Sequence, residues 1–341
     1  AGVAPHPTIY SFQRNFQNAT VQQWNLTLEH QFRLNWMGRA SYVGSQSYHL
    51  PWFFGDINQP VTETPNVSVQ NQRPLQPWGA IDATRSGAGE NFNQLQLELI
   101  KRFANGFSAQ GEYQFTSCLT NAISAVGGPQ NWHFPDQDYG YCSFERRHRL
   151  IFNYIYALPV GPGRKWLAHS GALANAVLGG WEVSGITTYE TGEAFSVLNE
   201  EIPGSFVGWT SGRADRVNGN LYAGQGTPVV VSGSNGVQWF NPAVFTTPQP
   251  WTMGNSAPNS VFNPGFWDWD IGAMKDFALG ERVRVQFRAE FLNAFNHPNL
   301  NGVDSNGDNF VPDTRDGASP DPTAGVIFDR FGSRTIQLGL K

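Results

Sequence analysis

Between Phe107 and Phe115 the chain alternates without a break: Phe107, Ala109, Gly111, Tyr113 and Phe115 are apolar or small, while Ser108, Gln110, Glu112 and Gln114 are polar. A period of two puts successive side chains on opposite faces, so this run is a strand with one oily and one wet face. Its partner lies just upstream, where Leu95, Leu97 and Leu99 alternate with Gln94, Gln96 and Glu98. Ala104-Asn105-Gly106 joins the two, and Asn-Gly accepts the positive φ angles a tight hairpin demands. A second hairpin sets Trp267, Trp269, Ile271 and Ala273 against Asp268 and Asp270 and turns at Ala278-Leu279-Gly280-Glu281. It returns with Val283, Val285, Phe287, Ala289 and Phe291 on one face and Arg284, Gln286, Arg288 and Glu290 on the other. The same alternation predicts strands near 20–32, 37–45, 147–157, 181–191 and 334–341, with a weaker pattern near 324–330, about nine or ten in all.

The spacing between strands constrains the architecture further. Links around Leu34-Asn35, Asn105-Gly106 and Leu279-Gly280 are short, whereas about 46–90, 117–146, 193–265 and 297–323 read as long loops rich in Gly, Pro, Asn and Trp. The 158–180 connection is intermediate: Pro159 to Arg164 reads as a turn, and Leu167–Leu178 as a short helix on the periplasmic side. Strands of about 10 to 14 residues exceed the soluble mode of about 5 to 6 and suffice to cross a bilayer at a tilt. Short turns at one end and long loops at the other are the layout of an outer-membrane barrel. A soluble sandwich also has one oily face. Here, however, the polar face carries Glu98, Arg102, Glu112, Asp268, Asp270, Arg284, Arg288 and Glu290, suited to a wet lumen. Aromatics near strand ends (Phe115, Tyr156, Trp181, Trp267, Phe291, Phe295) suit interfacial girdles. The expected fold is therefore all-β: an antiparallel up-and-down transmembrane β-barrel, present in part, with long extracellular loops. No apolar run reaches the roughly 18 to 20 residues of a membrane helix, so a bilayer must be met by strands.

Composition agrees. Charged residues are 14% of the chain, against about 25% in ordinary soluble domains, and 12 Trp and 25 Phe accompany them, which disfavours a cytosolic enzyme. A net charge of -5 offers no basic surface to a nucleic-acid backbone. The chain opens on Ala1 with no charged and apolar leader, and so reads as a processed or excised piece. Cys118 and Cys142 stand 24 residues apart without CxxC spacing or a nearby His. In an exported protein that pair reads as a disulfide closing its loop, with two buried free thiols as the alternative.

Motifs for catalysis are missing. Seven histidines (His6, His30, His49, His133, His148, His169, His297) show no HExxH or i, i+4 pairing, Gly161-Pro162-Gly163-Arg164-Lys165 lacks the GK[ST] ending of a phosphate loop, and no GxSxG elbow occurs. No enzyme and no cofactor are expected, apart from a weak calcium candidate at Asp304, Asn306 and Asp308, whose oxygen side chains alternate but whose twelfth position is Arg315. Arg284, Arg288 and Glu290 are expected to meet Asp268 and Asp270 in cross-strand ion pairs that stiffen the wall or set lumen selectivity. The loop aromatics Trp52, Phe53, Trp132, Trp209 and Trp239 read either as stacking surfaces for a sugar or peptide or as packing between loops.

Longer strings carry a resemblance. Val21-Gln22-Gln23-Trp24-Asn25-Leu26, Tyr42-Val43-Gly44-Ser45, Asp56-Ile57-Asn58-Gln59-Pro60, Leu95-Gln96-Leu97 with Lys101-Arg102-Phe103, Arg147-His148-Arg149, Leu158-Pro159-Val160-Gly161 and Gly179 to Ile186 follow in order. Phe287 to Asn299 (FRAEFLNAFNHPN) and Arg334 to Lys341 close the chain. Across its whole length the sequence resembles the barrel of Oar-like TonB-dependent receptors of the Acidobacteria type. That resemblance implies an outer-membrane barrel of about 22 strands in a Gram-negative bacterium, a plug, energy from the TonB complex through that plug, and transport of a large solute such as an oligosaccharide or peptide. The chain departs from the family in showing no plug and no TonB box and in lacking an aromatic last residue, so it reads as the C-terminal part of such a receptor, 1–341 forming one barrel region whose partners are outer-membrane lipid and the missing plug and barrel half. A different reading is a non-enzymatic surface or adhesion protein that assembles through its strand edges.

Overall fold

The computed structural model describes residues 6–61, 64, 67–122, 129–169, 171–199, 212–249, 252–278, 283–303, 310–311 and 322–341. Nine strands form one antiparallel meander in chain order: β1 Thr20–Arg33, β2 Trp36–Asp56, β3 Ile81–Ala104, β4 Phe107–Thr120, β5 His148–Ala157, β6 Trp181–Glu190, β7 Phe266–Ala278, β8 Arg284–Leu292 and β9 Thr335–Leu340. Each strand pairs with its neighbours in sequence, which is the up-and-down order the alternation predicts. Asn105 and Gly106 turn β3 into β4 with φ of 54° and 79°, the doubly positive geometry that explains Asn-Gly there. Ala172–Leu178 forms the short helix at the same end of the sheet. No helix among the described residues is long and apolar enough to cross a membrane.

The register proves the two faces. On one, Leu28, Ala40, Leu97, Tyr113, Leu150, Tyr189 and Trp267 line up across seven strands. One residue along, on the other face, Glu29, Arg39, Glu98, Glu112, Ile151, Thr188 and Asp268 form the matching row. The large side chains of the first face stand open: Leu28 is 66% and Leu338 71% exposed. β1 pairs only with β2 and β9 only with β8, so both edges of the sheet are open.

Two expectations change. The 46–90 stretch is not one loop: β2 runs 21 residues to Asp56 and β3 starts at Ile81 and runs 24, so the strands climb well beyond the alternating band. They escape the period-two pattern because both of their faces there meet water or other loops, and Pro51 enters at a register shift. The pattern near 324–330 is not a wall strand either. Val326–Ile327 joins a small sheet with Ser234–Gln238, and Arg330–Phe331 pairs with Asn299–Leu300.

These pieces belong to a folded cap at the long-loop end. Phe195, Val197, Ala214, Phe240, Val244, Phe245, Val261, Val303 and Ile327 form its hydrophobic core, contributed by the β6–β7 and β8–β9 connections. A smaller cluster of Trp52, Ala88 and Trp132 ties the tops of β2 and β3 to the β4–β5 connection. Gly55 is required there, because a Cβ would lie 1.2 Å from the Trp132 ring.

Candidate functional site

The polar face is the candidate site, and part of it is a hydrogen-bonded net. Arg39 bridges Glu29 and Glu98, each at 2.8 Å, so one cation on β2 serves carboxylates on both neighbouring strands. Gln110 then donates to Glu98 at 2.8 Å and to Glu112 at 2.9 Å, holding two like charges side by side through one amide. Further round, Glu190 accepts from Arg149 at 2.8 Å and pairs with Arg146 at 3.0 Å, and Arg146 reaches Glu193 at 2.9 Å. Glu98 and Glu112 are thus brought together as the alternation implies. Glu29, Arg39, Arg149 and Glu190 were not singled out by sequence, although each shares the polar parity of its strand.

Toward the short turns the same face changes character. A groove of about 580 Å³ opens there, with Ile100, Ile155, Ile186 and Leu292 beside Asn153, Asp270 and Glu290. A solute lying against this face would meet a charge-and-amide net beside an apolar floor. Asp268, Asp270, Arg284, Arg288 and Glu290 all share this face, but the expected ion pairs between them do not form. The β7–β8 register sets Arg288 opposite Met274, Arg284 opposite Ala278 and Glu290 opposite Gly272. Asp270 instead accepts the Asn293 N–H at 2.9 Å. Alternation assigns a face, while only the turn fixes which residues face one another.

The loop aromatics pack the loops. Trp52 is 5% and Trp132 6% exposed, stacked edge-to-face at 6.2 Å, with the Trp52 indole donating to the Asn121 carbonyl. Trp239 rests on the cap core and donates to the Phe262 carbonyl at 2.6 Å. Phe53 is half-buried on β2. Trp52 and Trp132 are not the open stacking surface that one reading of the sequence offered, whereas Trp239 lines a cavity together with Tyr222 and Phe262. Trp209 and the calcium candidate Asp304, Asn306 and Asp308 lie outside the described residues.

Cys118 and Cys142 form the disulfide, their Cα atoms 5.4 Å apart. Beside it the buried Glu145 carboxylate accepts the Cys118 N–H at 2.7 Å and pairs with Arg147 at 3.1 Å. Arg147 lies over the Tyr141 ring at 4.6 Å, and Tyr141 followed by Glu145 raises the pKa of its guanidinium further. Arg213 joins the β4–β5 connection to the cap through the buried Asp138, with its Nε donating to the Ser256 carbonyl at 2.8 Å and its backbone N–H to Gln130 at 2.7 Å.

A family model described as an outer membrane beta barrel domain matches residues 1–337. The chain belongs to that family. Its apolar face is the lipid face of an outer-membrane β-barrel domain, and its location is the outer membrane. Two cations on that face behave accordingly. Near the short turns Lys101 donates to the Ala104 and Phe107 carbonyls at 3.0 and 2.7 Å, and Lys275 folds onto the Gly179 carbonyl beside Trp181, so each ammonium is drawn to backbone and aromatic ring at the membrane boundary. No curated protein matches the chain. Among solved structures, the outer membrane transporter YddB from Escherichia coli aligns over 100% of this chain at 7% identity with a TM-score of 0.46. The chain spans 34% of that protein's length.

Proposed function

We propose that this β-barrel domain is a wall segment of an Oar-like TonB-dependent receptor that carries a large solute, such as an oligosaccharide or a peptide, across the outer membrane, with the cap facing outward. The supporting observation is the polar face: a continuous net of Arg39, Glu29, Glu98, Gln110 and Glu112 over an amphipathic groove, on the side of the sheet turned away from lipid. Fixed, mutually satisfied charges line a water path without holding a solute too tightly to release it. The folded cap supports selective admission, since its aromatic core fixes loop positions above that path. Energy through a plug and the TonB complex follows from the resemblance. The test is uptake of fluorescent oligosaccharides and peptides by cells that carry or lack the gene. Gene-dependent uptake that stops with a proton uncoupler is the expected result. Uptake independent of the gene for every solute, or unaffected by the uncoupler, overturns the reading.

A further inference from the structure

We propose that the β5–β6 connection is a membrane-surface anchor: its short helix lays Leu173 and Val177 into the phospholipid leaflet beside the short turns, and Arg164 and Lys165 meet anionic headgroups there. The inference rests on the lipid face described above and not on what the barrel carries. Two side chains of that face fix where the helix sits. The register makes Trp181 on β6, Lys275 on β7 and Phe287 on β8 neighbours, and it gives them the same parity as Tyr189 and Trp267 on the lipid side. The Trp181 indole N–H donates to the Val177 carbonyl at 2.9 Å, and the Lys275 ammonium donates to the Gly179 carbonyl. The last turn of the Ala172–Leu178 helix is thus held by lipid-facing groups of two adjacent strands, on the outside of the wall and away from the polar face.

The rest of the connection is tied to that point. The Gly180 N–H donates to the Val160 carbonyl at 3.2 Å, the Gly161 N–H to the Trp166 carbonyl at 2.9 Å, and the Trp166 N–H to the Pro159 carbonyl at 2.9 Å. Gly161, at a φ of 116°, lets the two ends meet, since a Cβ there would lie 3.0 Å from the Gly179 Cα. Trp166 and the helix therefore form one unit. What that unit leaves open is apolar. Leu173 is 82% and Val177 57% exposed, and a spacing of four puts them on one helix face, with Leu178 and Trp166 also exposed. This strip continues the lipid face, because the groups that tether it belong to that face. Its charge fits the same occupant: between Leu158 and Trp181 the chain carries Arg164 and Lys165 and no Asp or Glu. The Lys165 ammonium lies 5.7 Å from the centre of the Trp166 ring, pairing a cation with an indole as chains do at headgroup level. An apolar strip flanked by basic side chains binds a bilayer surface through buried apolar area and attraction to anionic lipid.

The test uses the full natural protein in vesicles of phosphatidylethanolamine and phosphatidylglycerol. Cys118 and Cys142 are paired, so Leu173→Cys, Val177→Cys, Leu97→Cys and Ala223→Cys each add the one free thiol of these 341 residues, to which a fluorophore is attached. Leu97 reports the lipid face and the exposed Ala223 reports the cap. Lipids brominated in their acyl chains are expected to quench the Leu173→Cys and Val177→Cys labels as they quench Leu97→Cys, while aqueous iodide quenches only Ala223→Cys. A Leu173→Cys label that iodide reaches and brominated lipid does not overturns the inference. So does one that neither reaches, the mark of a protein covering the strip. With bromine carried by one lipid at a time and equal mole fraction, phosphatidylglycerol is expected to quench Leu173→Cys more than phosphatidylethanolamine, and Arg164→Gln with Lys165→Gln is expected to erase that difference. Equal quenching by the two lipids with both basic residues in place overturns the headgroup assignment. A Leu97→Cys label left bright sinks the lipid-face reading itself, and solute uptake is not read here, so the transport reading stands or falls separately.

Discussion

In the wall, Leu338 and Leu340 are 71% and 75% exposed, while in the cap Phe240 is fully buried between Phe195 at 6.1 Å and Phe245 at 5.8 Å. One molecule thus uses apolar side chains in opposite senses. The wall presents them to lipid and draws its cohesion from backbone ladders and a polar inner net. The cap hides them from water and draws its cohesion from an ordinary hydrophobic core. Each region should therefore fail by a different substitution and leave the other standing.

Phe240→Ala is the severest test, since emptying a buried aromatic site costs about 3–5 kcal/mol. Hydrogen exchange in the cap is expected to accelerate while the strand circular-dichroism signal in detergent is unchanged; coupled loss of both would break the comparison. Asp138→Ala strands the buried Arg213 guanidinium and is expected to cost the cap about 3–5 kcal/mol as well. Protease nicking of the β4–β5 connection reads it, with Arg213→Met on the same background restoring part of the loss. Leu97→Arg, on the exposed lipid face, reverses the target: about 2–4 kcal/mol is expected to leave the wall near mid-bilayer, seen as a lower denaturation midpoint in lipid vesicles. Cap exchange rates should not follow. Smallest is Arg39→Gln, because an ion pair whose arginine is 42% exposed is largely screened by water. Its expected signature is a changed charge preference for permeating solutes at nearly constant stability.

The wall was legible because a lipid face and a wet face force period two on the residues between them, as in Leu95 to Leu99 and Phe107 to Phe115. Where that force ends, so does the signal: Gln46 to Asp56 and Ile81 to Glu90 are strand, yet their sequence reads as loop. The cap was opaque for a different reason. Trp52, Trp132 and Trp239 have the same composition whether they grip a solute or one another, and only contacts distant in sequence, such as Trp52 to Asn121, decide between them. Arg213 with Asp138 spans 75 residues and leaves no local trace. Register was the remaining gap, since Arg288 opposite Met274 rather than an aspartate depends on the β7–β8 turn.

The length of β2 and β3 has a consequence for what meets this protein from outside. A tilted strand crosses the hydrocarbon with about 9–11 residues. The 24 residues of β3 leave more than half its length clear of the bilayer, which at about 3.3 Å per residue and a tilt near 45° amounts to roughly 30 Å of height. With the cap facing outward as proposed, a turret of that height stands well clear of the bilayer surface. Antibodies and bacteriophages would then find the rim before they find the membrane, and a bulky polymer could engage it without first threading the surface layer.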